Sequence, residues 1–190
     1  MKKIFWLSLL VLSTLLLSPS DMMAAGPPPV GGTLPDFTLP QPGSSAERDY
    51  LGLSSRSNFT VPDIKAKVVL IEILSMYCPF CQKEAPVVNK LYEAIEGNPG
   101  YKGKIKLLGI GVGNSAYELD VFRKRYNVPF PLFTDADFTL HKLLGETRTP
   151  YFIAVRINED RTHKVVYSKA GSLGEVTPFI ENIAKLAGLK

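Results

Sequence analysis

Residues 68–86 read VVLIEILSMYCPFCQKEAP. The first seven are β-branched or otherwise apolar apart from Glu72, the mark of a strand buried on both faces. Cys78-Pro79-Phe80-Cys81 follows almost at once. From Pro79 to Ile95, Ala85, Val88, Leu91, Tyr92 and Ile95 then fall at helical spacing. A buried strand that turns directly into a helix is the opening unit of an α/β sheet. Here two cysteines stand at the turn.

Downstream the same alternation continues. IKLLGIGV (105–112) predicts a second buried strand, 116–126 a helix, 131–133 a short strand and 138–144 a short helix. YFIAVRI (151–157) and KVVYS (164–168) predict strands joined by the turn Asn158-Glu159-Asp160-Arg161. An amphipathic helix over 176–189 closes the chain. The expected fold class is α/β, a central mixed β-sheet flanked by helices.

Upstream the signals weaken. Residues 41–57 are polar and rich in Gly and Ser and predict an irregular excursion. Residues 35–40 (PDFTLP) predict a short edge strand bracketed by prolines. Residues 26–34 begin GPPPVGG, a Pro/Gly tether expected to be extended and mobile. Lys2 and Lys3 precede a 14-residue apolar run, followed by Ser18-Pro19-Ser20 and the small residues Ala24, Ala25 and Gly26. That order predicts a signal peptide over 1–25, with an uncleaved membrane anchor as the rival, and hence an extracytoplasmic or periplasmic location. The run is short of the roughly 17–25 residues of a comfortable membrane span.

Composition removes other classes. The 190 residues carry 22 Lys and Arg against 18 Asp and Glu, a formal charge of +4, and no basic run interleaved with aromatics. Nucleic-acid binding is therefore not expected. Two cysteines and two histidines cannot supply a disulfide scaffold or a four-thiolate zinc site. GIGVGN (109–114) fails the spacing of a dinucleotide-binding glycine loop at Asn114.

The cysteine pair has chemistry built into its position. Cys78 stands at a helix N-terminus, where unpaired N–H groups and the helix dipole favour a thiolate, and Pro79 suits the first helical position. The thiolate is the form that attacks disulfides. Cys81 lies one helical turn on, close enough to resolve a mixed disulfide. As a structural disulfide the pair would close too small a loop to stabilise much.

Tyr77-Cys78-Pro79-Phe80-Cys81-Gln82-Lys83-Glu84-Ala85-Pro86 resembles the Trp-Cys-x-x-Cys-x-x-Glu-x-Pro of TlpA/ResA-type thiol–disulfide oxidoreductases, members of the thioredoxin-like superfamily. Tyr77 stands where that family has Trp. The resemblance spans roughly residues 31–188, so 35–190 is expected to be one thioredoxin-like domain. It implies that Thr149-Pro150 is a cis-proline lying against the cysteines, and that Tyr77, Thr149 and Pro150 line the substrate groove. It also implies roles for two carboxylates. Glu84 stands where ResA-type proteins keep an acid, and Glu72 where thioredoxins bury an Asp that shuttles a proton; Glu84 ranks first on its longer local motif. An acid buried in a strand has its pKa raised, which suits proton transfer.

The implied partners are a disulfide-bearing client, such as apocytochrome c or a copper-site protein, and an upstream dithiol donor; no organic cofactor is implied. The Pro-Phe dipeptide is similar to glutaredoxin-like and DsbA-like pairs. Known pairs span roughly 150 mV, so redox direction stays open, with disulfide reduction the expectation. Two alternatives also stay open. Ser75-Met76-Tyr77-Cys78 is similar to a peroxiredoxin site, for which Arg148 is the available cation. A Sco-like copper chaperone would use both cysteines with His141 as third ligand. His163, beside the hairpin turn, is expected to be solvated.

Overall fold

The computed structural model describes residues 26–54 and 57–189, so the expected signal segment lies outside the described residues. Five strands form one sheet in the order β3-β2-β1-β4-β5. They are β1 (Val68–Leu74), β2 (Ile105–Val112), β3 (Leu132–Asp135), β4 (Tyr151–Ile157) and β5 (His163–Ala170). β1, β2 and β3 run parallel, while β4 and β5 run antiparallel to β1 and to each other respectively. The helices are α1 (Ser45–Leu51), α2 (Pro79–Gly97), α3 (Ala116–Tyr126), α4 (Thr139–Leu143) and α5 (Val176–Leu186). This is the mixed sheet with flanking helices that the strand–helix alternation predicts. No helix among the described residues is long and apolar enough to cross a membrane.

Both faces of β1 are buried, which is why its sequence runs apolar without alternation. Val68, Leu70 and Leu74 pack with Val88, Leu91 and Ile95 of α2 and with Phe179, Ile180 and Ile183 of α5. Val69, Ile71 and Ile73 pack on the other side with Leu34, Leu39, Leu51, Phe59, Val61 and Leu144. Successive strand residues point to opposite faces, so Glu72 belongs to the α2 side. The acid in the apolar run is thereby aimed at the layer that carries the cysteines.

Three upstream expectations change. Residues 26–34 do not hang free. Gly31 N–H donates to Val165 O and Val165 N–H donates to Gly32 O, both at 2.8 Å, so the segment pairs with the outer edge of β5. An edge strand presents unpaired backbone groups, and here the chain's own upstream segment satisfies them. The next contact in line involves His163, which is part-buried and accepts from Leu34 N–H at 3.1 Å instead of being solvated. The strand expected over 35–40 reduces to a single bridge between Leu39 and Phe59, as prolines at both ends remove ladder donors.

The excursion over 41–57 contains α1. Ser44 caps it by accepting from Glu47 N–H at 3.1 Å, and Gly52 ends it at φ 67°. From α1, the Tyr50 hydroxyl accepts from Leu107 N–H at 2.9 Å, covering a β2 donor that β3 begins too late to pair. Glu47 pairs with Arg123 of α3 at 2.9 Å.

Candidate active site

β1 ends at Leu74, and residues 75–77 carry the chain to Cys78, the N-cap of α2. Two side chains fix this turn. Asn114 Oδ1 accepts from Met76 N–H at 2.8 Å, and Gln82 Nε2 donates to Met76 O at 2.8 Å. Neither was singled out from sequence, yet Asn114 had a signal. It follows the end of β2, on the same carboxyl edge of the parallel strands as the cysteines, where ligand-bearing loops gather in open sheets. Asn114 is fully buried, and its carbonyl accepts from the Thr134 hydroxyl.

The two sulfurs meet different surroundings. Cys78 is partly exposed and its Sγ lies 3.3 Å from Thr149 O, to which the thiol donates. Burial would raise its pKa. Hydrogen bonds with the Thr149 side chain, with Cys81 and with the Phe80 N–H outweigh burial and hold the thiol below its ordinary value. Cys81 is fully buried, and burial, reinforced by the charge of Glu72, pushes its thiol far up. The two thiols bond to each other in the sense that favours the Cys78 thiolate and the Cys81 thiol. Thr149 also touches both sulfurs, and its peptide bond to Pro150 is cis.

Both candidate carboxylates are buried. Glu72 pairs across β1 with Gly109 of β2 and Phe152 of β4. Burial, then the charge of Glu84, pushes its pKa up to about 8. Glu84 Oε1 accepts from Ser172 Oγ at 3.0 Å and from Leu173 N–H at 2.8 Å. The same connection between β5 and α5 meets the cis-proline, because Gly171 N–H donates to Pro150 O at 2.9 Å. Glu84 therefore fastens the loop beside Pro150, while Glu72 is the carboxylate whose charge reaches Cys81.

Beside the cysteines a cleft of about 450 Å³ is lined by Phe80, Lys83, Glu84, Arg148, Thr149 and Pro150, with residues 170–172 at its end. Phe80 is 73% exposed at its rim. Tyr77 is also exposed and donates to Glu118 Oε1, which ties the turn before Cys78 to the start of α3. Arg148 lines the cleft, and no described hydrogen bond joins it to Cys78. His141 is held at Nε2 by Thr147 O at 2.9 Å. Among the described residues no three His, Cys, Asp or Glu side chains converge where they could hold a metal ion, so His141 and the two cysteines form no such group.

A helix-capping cysteine, its buried partner one turn on, and a cis-proline against them on a mixed five-stranded sheet define a dithiol protein of the thioredoxin-like fold. Residues 30–168 match the model of the AhpC/TSA family, and the chain belongs to that family. Among curated relatives, the thiol-disulfide oxidoreductase ResA of Geobacillus kaustophilus is 29% identical over 107 residues, covering 56% of this chain and 51% of the relative. The chain spans about half the length of that relative.

Solved structures agree on the fold. A secreted Mycobacterium tuberculosis disulfide oxidoreductase homologous to E. coli DsbE superposes with a TM-score of 0.53 at 20% identity, covering 78% of this chain and 95% of the other. The thioredoxin domain of a Bacteroides vulgatus thiol-disulfide oxidoreductase gives 0.59 at 15% identity, covering 80% and 96%.

Proposed function

We propose that this protein is an extracytoplasmic thiol–disulfide oxidoreductase that reduces a disulfide in a client protein. The observation that carries the reading is the asymmetry of the pair: Cys78 partly exposed at the N-cap of α2, against Cys81 fully buried one turn on, which holds the first thiol low and pushes the second up. Location outside the cytoplasm rests on Lys2, Lys3 and the apolar run after them.

The reaction proceeds in two exchanges. The Cys78 thiolate attacks one sulfur of the client disulfide; the client S–S bond breaks, and the departing sulfur leaves with the electron pair and takes a proton. Cys81 then loses its proton to the Glu72 carboxylate and attacks Cys78 Sγ. The mixed disulfide breaks, the second client sulfur leaves as thiolate and is protonated, and a Cys78–Cys81 disulfide remains. The client is reduced by two electrons and this protein is oxidised by two. An upstream dithiol protein restores the pair, and no organic cofactor is required. Apocytochrome c or a copper-site protein is the client class that the resemblance implies.

Glu72 suits the proton step because its raised pKa lies near working pH, where it can both accept and return a proton. Thr149 lies against Cys78 and with Pro150 lines the cleft where an extended client segment would lie, and Tyr77 adds an exposed aromatic contact. Glu84 acts by positioning the loop that carries one wall of the cleft.

The test is reduction of a disulfide client by the wild type and by Cys81→Ser. Turnover by the wild type and a trapped Cys78 mixed disulfide in the variant are expected. No reaction of either protein beyond that of free cysteine contradicts the reading. The reduction potential sets the direction: a value near −270 mV, about that of thioredoxin, fits a reductase, and one near −120 mV, about that of DsbA, fits an oxidant. Oxidation of Cys78 by peroxide far faster than free thiol would turn the assignment to a peroxidase.

A further inference from the structure

The cleft beside Pro150 is charged as well as shaped, and its exposed charges are both cationic. Lys83 enters it from the first turns of α2, and Arg148 from the loop two residues before the cis-proline. Both side chains are exposed, and no described carboxylate lies within ion-pair distance of either. The one acid in the lining, Glu84, is buried, and its Oε1 is already occupied by Ser172 and Leu173. The remaining lining is largely apolar or small: Phe80, Pro150, Ala170 and Gly171.

Resting on the disulfide-exchange reading, we infer that Lys83 and Arg148 select client segments carrying acidic side chains beside the reacting cysteine. A client lying along Thr149–Pro150 with its disulfide at Cys78 runs beside a cleft lined by two cations from different elements. An Asp or Glu near the client cysteine meets an unpaired positive charge there, whereas a Lys or Arg meets a like charge and Phe80 alone. Charges at an interface rim act mainly on encounter rate and partner discrimination, and salt screens them. The preference therefore appears in the second-order rate of mixed-disulfide formation.

Three matched peptides test this, each joined through its single cysteine to a chromogenic aromatic thiol, with Asp, Ser or Lys on both flanks. The release rate from the reduced full-length protein is expected to be about tenfold higher for the Asp than for the Lys peptide at low salt. The ratio should collapse toward one near 1 M salt, where the Debye length is about 3 Å. Lys83→Glu combined with Arg148→Glu should invert the ratio, and Lys83→Gln with Arg148→Gln should bring it close to one. Equal rates for Asp and Lys peptides, or a ratio untouched by charge reversal, overturn the inference while leaving disulfide exchange standing. If all three peptides, Ser included, react no faster than with free cysteine, the exchange reading falls and the inference with it.

Discussion

The two faces of β1 are packed alike and used differently. On one side Val69, Ile71 and Ile73 meet an apolar layer built from the upstream segment and α4. On the other, Val68, Leu70 and Leu74 meet α2 and α5, and Glu72 takes the one remaining place in that row. All seven residues are buried, so the strand accepts an ionisable group at the cost of one apolar contact and a desolvated carboxyl. The opposite layer makes no such concession. The difference teaches that one face holds the sheet together and the other holds a chemical gradient, running from the shielded Glu72 and Cys81 out to the accessible Cys78.

Substitutions on the two faces should therefore separate stability from chemistry. The largest effect belongs to the chemical side: Cys78→Ser abolishes turnover of a disulfide client while leaving the fold intact, as far-UV circular dichroism would show. Residual turnover would place the attacking sulfur elsewhere. On the apolar side, Ile71→Ala removes a fully buried side chain and should cost about 2–5 kcal/mol in denaturant unfolding. Its effect on the pH dependence of Cys78 alkylation should be nil. If Ile71→Ala displaced the Cys78 reactivity midpoint, the two faces would not be independent.

Glu72→Gln sharpens the comparison through pH. The unfolded carboxyl titrates near its ordinary 4.5 and the folded one near 8. Between those values the folded protein keeps a proton that the unfolded chain has lost. The Glu72 contribution to stability is thus full below about 4.5, declines as pH rises toward 8 and then levels. Cys78 acts in the opposite sense at higher pH, because its thiol is lowered on folding and ionises more readily in the folded state. The difference between wild type and Glu72→Gln isolates the carboxyl: stability curves over pH 4–9 should diverge across that window, and parallel curves would contradict a buried, proton-holding Glu72. The smallest effect is expected from Ser172→Ala, which removes one of two donors to Glu84 and should cost about 1 kcal/mol, read as a shift in denaturation midpoint.

Much of the chemical face was legible from residues 68–86, because a buried strand, a capping cysteine and a helical period each leave a local signature. Cys78, Cys81 and the first strand–helix unit of the mixed sheet follow from those signatures, and the cis bond at Pro150 was implied by resemblance. What the sequence did not reveal depends on contacts distant in the chain. Asn114 reaches Met76 across 38 residues; its place after β2 marks the edge it sits on, but no local pattern marks Met76 as its partner. The ranking of Glu84 over Glu72 rested on motif length. The fold turns Glu84 toward Ser172 and Leu173, and strand parity sends Glu72 toward Cys81.

The upstream layer was the least legible. Its one helix, α1, is short, and its Ser44-to-Glu47 capping signal lies in a polar stretch with little apolar periodicity. The attachment of Gly31 and Gly32 to β5 is made by backbone groups, which any sequence carries. Side-chain pattern could not announce it.

Alkylation of the reduced protein as a function of pH, with the modified cysteine identified by peptide mass, tests the central claim most directly. One modification is predicted in the folded state, on Cys78, with its midpoint below the ordinary thiol value of 9.0, and Cys81 should react only after unfolding. Equal labelling of both cysteines at the pH of a free thiol would contradict the account.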